Sequence, residues 1–265
     1  MPRIADWGEL EGPLTAFGGV HSNLHALDAL LAEARGTPIC TGDVVAYCAD
    51  AAACVARVRG ADIRTIAGNC ETQLADGAAD CGCGFEDGTA CDLLSDAWYA
   101  HAAREVDADA RAWMGALPDW ATFRHAGRRW LVVHGAPSAQ NSFVWQSTDL
   151  APEIALAEAE VGRIDGILSG HSGLPFVRRE GRHLWVNAGA IGMPPHDGAT
   201  ATRFAEIDAE GDVSIHRLDY DWHGARDAMT ASGLVQGYHE TLRTGWWPSE
   251  DVLPQDLRRS QPSMA

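Results

Sequence analysis

The sequence predicts an α/β fold with mixed sheets, and three observations carry that prediction. Strand-like and helix-like stretches alternate through the first 67 residues, which is the pattern of a doubly wound, parallel sheet. Short strand-like runs separated by Gly-containing turns fill much of the second half, which is therefore antiparallel-rich. Between the two halves, residues 72–118 read as a helical insertion over one end of the sheet.

Residues 13–19 form the first expected strand. Asn23 then caps a helix in which Leu24, Leu27, Leu30 and Leu31 recur at helical spacing. TPICTG at 37–42 is a second buried strand, and a helix with Ala53, Val55, Ala56 and Val58 follows at about 50–59. DIRTIA at 62–67 is the third strand. The insertion opens rich in Gly, Asp, Ala and Cys, then turns helical around 93–103 and 107–117. ATFRHAG and RRWLVVHG read as a hairpin turned at Gly127. A helix at 150–161 leads to a strand at 164–169, and further strands fit 174–178, 182–187, 202–208 and 212–217. Beyond about 222 the chain is helical, then Pro- and Trp-containing, with a loose end. No fixed-period repeat and no low-complexity tract interrupts this order.

The chain has 265 residues, 46% of them hydrophobic, enough for one large α/β domain or two small ones. The expectation is a single domain over 1–265, carrying the insertion at about 72–118 and a tail at about 222–265. Its net charge is −17, from 20 basic against 37 acidic residues, which argues against nucleic acid or an anionic membrane as the main partner. A small phosphorylated substrate is compatible with that charge, because a bound metal reverses the local field. No apolar run approaches the ~18 residues of a membrane span, and MPRIADWGELEG lacks the apolar segment of a signal peptide. The expected location is the cytoplasm.

Seven cysteines lie between Cys40 and Cys91. Most are expected to be buried thiols. Cys81 and Cys83, with Cys70 and Cys91 nearby, are also candidates for a small metal cluster, although their spacing matches no standard zinc pattern.

The chemistry sits at the strand ends. TGDVV places Asp43 just past the second strand, AGNCE places Asn69 past the third, VVHG ends in His134 and SGHS carries His171. Four strands thus each deliver an Asp, Asn or His beside a glycine. Ligands of open α/β sheets bind outside the carboxyl ends of the strands. Any one of these residues alone is an ordinary turn, cap or buried histidine. Together they offer oxygen and nitrogen donors suited to a divalent or trivalent Mn, Fe, Zn or Co.

GDVV, AGNCE, VVHG and SGHS, in this order, resemble the calcineurin-like metallophosphoesterase superfamily. GDVVAYCADAAACVARVR and WVNAGAIGMP extend the resemblance to the small bacterial phosphodiesterase-like branch, over roughly residues 13–217. The resemblance implies a four-layer αββα sandwich and two metals about 3.5–4 Å apart, with a bridging hydroxide attacking phosphorus in line. It implies Asp43 as the bridging carboxylate and Asn69, His134 and His171 as the other protein ligands of the second metal. The first metal departs from the pattern. The family's Asp-x-His reads Gly19-Val20-His21, and its Gly-His-x-His reads Gly170-His171-Ser172-Gly173. Only His21 and the shared Asp43 remain, fewer than the three protein ligands usual for catalytic zinc. His25, Cys70 or a residue of the Cys-rich insertion are candidates to rebuild that site.

Cys70 also stands where many relatives carry a histidine serving the leaving group or phosphate, and a thiol hydrogen-bonds only weakly. Glu71 is positioned to cap the following helix. Asn187-Ala188-Gly189 and Gly192-Met193-Pro194 resemble loops at the family's active-site rim. Pro195 and His196 follow where many relatives have arginine, which leaves Arg203 as a candidate phosphate contact and Asn23 as a further substrate-binding candidate. Trp98, Trp113 and Trp120 could stack a nucleobase or simply pack. Trp246-Trp247 could cover a core or a dimer contact, so a homo-oligomer is possible. The expected function is metal-dependent hydrolysis of small phosphomonoesters or phosphodiesters, with Asp43, Asn69, Cys70 and His171 in the catalytic set. The alternative is a feeble relative that binds a metal or phospho-ligand as a sensor or partner protein.

Overall fold

Alternating apolar residues on the central strands decide how the layers stack. In the computed structural model, which describes residues 1–84 and 88–259, the elements run β1 (Ile4–Glu9), β2 (Leu14–Phe17), α1 (Leu24–Glu33), β3 (Thr37–Cys40), α2 (Ala51–Gly60), β4 (Arg64–Thr65) and α3 (Asn69–Asp76). They continue through α4 (Ala90–Glu105), α5 (Ala108–Ala116), β5 (Trp120–His125), β6 (Arg128–Val132), α6 (Ala151–Val161), β7 (Gly166–Ser169), β8 (Phe176–Glu180) and β9 (His183–Asn187). The last are β10 (Thr202–Ile207), β11 (Val213–Leu218), α7 (Trp222–Ala231), α8 (Tyr238–Thr244) and a 3-10 turn at Gln255–Leu257.

Two mixed sheets result. One runs β11-β10-β2-β3-β4, with β2, β3 and β4 parallel and β10 antiparallel to β2. The other runs β1-β5-β6-β7-β9-β8, with β6, β7 and β9 parallel and β8 antiparallel at the edge. On β6, Trp130 and Val132 face the other sheet and join Leu14, Ile39, Leu168 and Ala205 in one buried cluster. The intervening Leu131 and Val133 face outward onto Ile154 and Ala157 of α6. This period of two buries both faces of the strand. Phe17 and Cys40 point away from the sheet interface into a third cluster, formed with α1, α2, the 72–118 helices and α7. The layers are therefore helices, sheet, sheet and helix: an αββα sandwich.

Two elements differ from the sequence reading. β1 had no expected counterpart; it is an edge strand, parallel to β5 and largely exposed, so no buried apolar run announces it. β4 has only two residues of the six expected, because Ile66–Gly68 leave the sheet toward the next helix. Trp98 is buried in the helical cluster against Tyr47 and Tyr99, and Trp120 packs on the outer sheet face, so neither presents a base-stacking platform. Trp113 is half-buried against the same helical cluster. No helix among the described residues is long and apolar enough to cross a membrane. The expected loose end from residue 260 lies outside the described residues.

Candidate metal centre

Three loops and a helix start meet at one end of the sandwich. Asp43 follows β3, Asn69 opens α3, His134 lies two residues beyond β6, and His171 lies two residues beyond β7. Two glycines permit the approach. A Cβ on Gly42 (φ +100°) would stand 2.5 Å from the Gly68 nitrogen and 2.8 Å from His134 Nδ1. A Cβ on Gly68 would stand 2.3 Å from Asp43 Oδ1. Asp43 (φ +56°) and His171 (φ +58°) are themselves in the left-handed region. For residues with a Cβ that conformation costs about 1–3 kcal/mol, and such strain clusters at functional sites.

His134 is the hub. Its Nδ1 lies 2.7 Å from the Thr41 carbonyl, which can only accept, so a neutral ring carries its proton there and leaves Nε2 bare. Around Nε2 stand Asn69 Oδ1 at 3.0 Å, His171 Nδ1 at 3.2 Å and Asp43 Oδ2 at 3.3 Å. The Asn69 amide is oriented by its Nδ2, which donates to the Cys81 carbonyl at 2.9 Å. His171 can supply at most one proton to this group. Asp43 and Asn69 then still face a lone pair. Acceptors gathered in this way fit a cation, and the oxygen and nitrogen donors suit a borderline metal. Among the described residues, Asp43, His134 and His171 are the one group of His, Cys, Asp or Glu side chains that converges closely enough to hold a metal ion.

Burial would lower the His134 imidazole, but the Asp43 carboxylate outweighs it and raises the ring. Burial would raise Asp43, but His134, and then His171 and His21, hold it below the usual carboxylate range. Burial takes His171 down to about 3 and His21 to about 4, so both are neutral at pH 7. Glu71, fully buried, accepts from the backbone N–H of Asp43 (2.8 Å), Gly68 (2.9 Å) and Val45 (3.1 Å). The expected helix cap is thus also the anchor of the Asp43 loop, a role the sequence reading missed. Burial, then Asp43, push the Glu71 carboxyl up to about 7. Asn187 was a rim motif in the sequence; its Nδ2 donates to Gly170 O (2.8 Å) and Ser172 Oγ (2.9 Å), clamping the residues on both sides of His171.

His21 stands beside this set without joining it. Its ring folds over Gly19: a Cβ there would meet His21 Nε2 at 2.3 Å. The ring also packs edge-on against Tyr47, with centroids 4.8 Å apart. The space beside Gly173 is bordered by Trp247, whose ring would lie 3.6 Å from a Cβ at that position. Trp247 is held by its Nε1 donating to Pro194 O (2.8 Å) and its backbone N–H donating to His196 Nδ1 (2.9 Å). It helps to line a cavity of ≈ 50 Å³ with His21, Tyr47, Phe143, His171 and Met193. Trp246, half-buried like Trp247, packs on His196 under Arg259.

Several expected roles change. Asn23 is fully buried: Oδ1 accepts from Ala26 N (3.1 Å) as the α1 cap, and Nδ2 donates to Gly192 O (3.1 Å). Arg203 pairs with Asp197 and donates to Ala201 O, in a different pocket from the His134 cluster. His25 faces Asp221 at 3.6 Å across α1 and α7, so it does not rebuild the first site. Cys81 and Cys83 are bonded to each other, which removes the expected thiolate cluster; Cys91 lies by Ser249 and Asp251 instead. Cys70 is buried beside Asn69, and burial pushes its thiol well above the ordinary value.

A carboxylate, a carboxamide and two imidazoles thus gather at the strand ends of a two-sheet sandwich, as a candidate metal centre. The chain belongs to the calcineurin-like phosphoesterase superfamily, whose domain model matches residues 14–210. It is 24% identical over 253 residues to the uncharacterized protein MJ0912 of Methanocaldococcus jannaschii, covering 88% of this chain and 98% of that one. Its fold is similar to a metallophosphoesterase from Sphaerobacter thermophilus (TM-score 0.71, 20% identity, 89% of this chain and 99% of that one). It is also similar to the hypothetical protein PH1004 from Pyrococcus horikoshii OT3 (TM-score 0.73, 16% identity, 88% and 98%).

Proposed function

We propose that the chain hydrolyses small phosphomonoesters or phosphodiesters at a single metal held by Asp43, Asn69, His134 and His171. The observation that carries this reading is the convergence of Asn69 Oδ1, His171 Nδ1 and Asp43 Oδ2 within 3.3 Å of His134 Nε2. A bound Mn, Fe, Zn or Co ion supplies Lewis-acid polarisation of a phosphoryl oxygen and acidifies a bound water. The protein contributes the rest. The Thr41 carbonyl fixes the His134 tautomer and so aims its lone pair. Glu71 and Asn187 hold the two ligand loops from behind. His21, neutral and lining the adjacent cavity, leaves Nδ1 buried without a partner, a polar atom for a phosphoryl or ester oxygen to meet. A thiol hydrogen-bonds only weakly, so no strong general acid is expected from Cys70 and good leaving groups should be favoured.

Enclosure supports a small substrate. Asp43 is 6% and His134 2% exposed, under a wall of Tyr47, Phe143 and Trp247. His21 folded over Gly19 supports one metal per chain. The test is metal content of the purified chain, then hydrolysis of p-nitrophenyl phosphate and its bis ester with Mn²⁺. One metal per chain, with turnover lost in Asp43→Asn, is expected. A loaded protein inert across a broad phosphoester panel would instead make it a metal-binding sensor.

A further inference from the structure

A second charged feature lies at the other end of the six-stranded sheet. All 20 basic residues of the chain are arginines, in a protein of net charge −17. Six of them, Arg124, Arg128, Arg129, Arg163, Arg179 and Arg182, line one pocket of ≈ 460 Å³. They come from the turn ends of the β5–β6 and β8–β9 hairpins and from the loop before β7. His134 and His171 lie past the opposite ends of β6 and β7. Arg129 on β6 and His134 beyond its end are five residues apart in nearly extended chain, which spans at most about 17 Å.

Few carboxylates answer these cations. Asp165 is the one acidic residue in the pocket wall, and it already accepts from the Arg129 backbone N–H at 2.9 Å. Arg182 reaches Glu158 and, at 3.6 Å, Asp165; Arg163 reaches Asp165 only at 3.9 Å. Arg128 and Arg129 donate to the Gly211 and Val161 carbonyls, which leaves their charges uncompensated. Among the described residues, Arg124 and Arg179 make no ion pair, although Glu9 is in register with Arg124 on β1. Arg124 and Arg129 sit directly opposite each other across β5 and β6, a like-charge pairing that opposes sheet formation. Four guanidinium groups with no carboxylate partner among the described residues, Arg124, Arg128, Arg129 and Arg179, thus gather in one concavity of an acidic chain.

We propose that this pocket binds a small, multiply phosphorylated anion through guanidinium–phosphate forks. The planar guanidinium matches phosphate bidentately, which an ammonium does not. The volume falls within the ~300–1,000 Å³ of small-molecule sites. Leu184 is the sole large apolar residue in the wall and no aromatic ring lines it, so recognition is of phosphates and not of a stacked base. An extended nucleic acid would meet the repulsion of the whole chain, whereas a short anion meets the local field.

The test is calorimetric titration of the full-length, metal-stripped protein with inorganic tripolyphosphate, in about 0.1 M salt, where charges beyond about 10 Å are screened. One equivalent is expected to bind, and orthophosphate at least about tenfold more weakly, because it engages fewer forks. Arg124→Gln with Arg179→Gln removes two exposed, unpaired groups and should weaken tripolyphosphate binding by about tenfold or more. Arg57→Gln with Arg226→Gln makes the same change in net charge elsewhere and should leave binding unaltered. Absence of saturable binding, equal binding by the first double variant, or equal weakening by the second would overturn the proposal. Retained binding in metal-stripped Asp43→Asn separates this pocket from the metal centre; loss there would overturn it too.

Discussion

Glu71 is not itself a candidate ligand, yet the structure makes it the residue on which the Asp43 loop depends. Its carboxylate accepts three backbone N–H groups: Asp43 and Gly68 through Oε2, Val45 through Oε1. All three donors are buried. In Glu71→Gln the carboxamide oxygen can still serve Asp43 and Gly68, but its NH₂ then faces the Val45 N–H. One buried donor left without an acceptor costs about 1–3 kcal/mol. Glu71→Ala strands all three, and even with water entering the vacated space the loss should reach about 3 kcal/mol or more. Because Asp43 is held in a left-handed conformation partly by this contact, metal affinity should also fall, by about 10–100-fold in Glu71→Gln. Urea unfolding of the metal-free variants measures the first effect and metal titration the second. A Glu71→Gln protein with wild-type unfolding midpoint and wild-type metal affinity would refute the anchoring argument.

Asn187→Ala should behave similarly from the other side: losing the clamp on Gly170 and Ser172 costs about 1–3 kcal/mol in urea unfolding and weakens metal binding through His171. Chelation should lower stability reversibly, by about 2.7 kcal/mol if the metal had been present at about 100 times its Kd, and readdition should restore the midpoint. Burial alone would raise the Asp119 carboxyl, but hydrogen bonds from the Arg3 side chain and backbone hold it below its ordinary value. Its contribution is therefore present above the unfolded-state value and lost as pH falls through the lower folded value. Asp119→Asn should cost under about 1 kcal/mol at pH 7, since the pair is part-exposed, and the gap to wild type should close as the medium is acidified below about pH 3.8.

The order of strands and helices was legible because each buried strand is a short apolar run ending in glycine and each helix carries its own cap or periodic leucines. The four donor residues were legible for a related reason: chemistry at a strand end leaves a local signature of one polar residue beside a glycine. What escaped was long-range. β1 is recognisable only by its pairing with β5, since its own faces are exposed. The second duty of Glu71 and the clamp by Asn187 depend on contacts 28 and 17 residues away along the chain. The arginine pocket gathers two hairpin ends and a loop that are unremarkable separately. Asn23 and Arg203 were candidates by residue type, which does not show the partners the fold gives them: Ala26 and Gly192 for Asn23, Asp197 for Arg203.

The two departures at Gly19 and Gly173 are connected by electrostatics. Position 19 is buried, and Asp43 and Glu71 are two carboxylates already buried nearby. An aspartate at 19 would add a third, and only a second cation could compensate it; without that cation an unpaired buried charge costs several kcal/mol. Glycine avoids the charge, and it also yields the volume into which the His21 ring folds, a position that any Cβ at 19 would forbid. On the opposite side, Trp247 closes the wall beside Gly173, its ring 3.6 Å from where a Cβ would stand. A carboxylate without its partner imidazole would be stranded, and an imidazole without the carboxylate would face apolar walls. Loss of the first-site residues and filling of their space are thus one change in the fold, and it leaves the Asp43–Asn69–His134–His171 set intact.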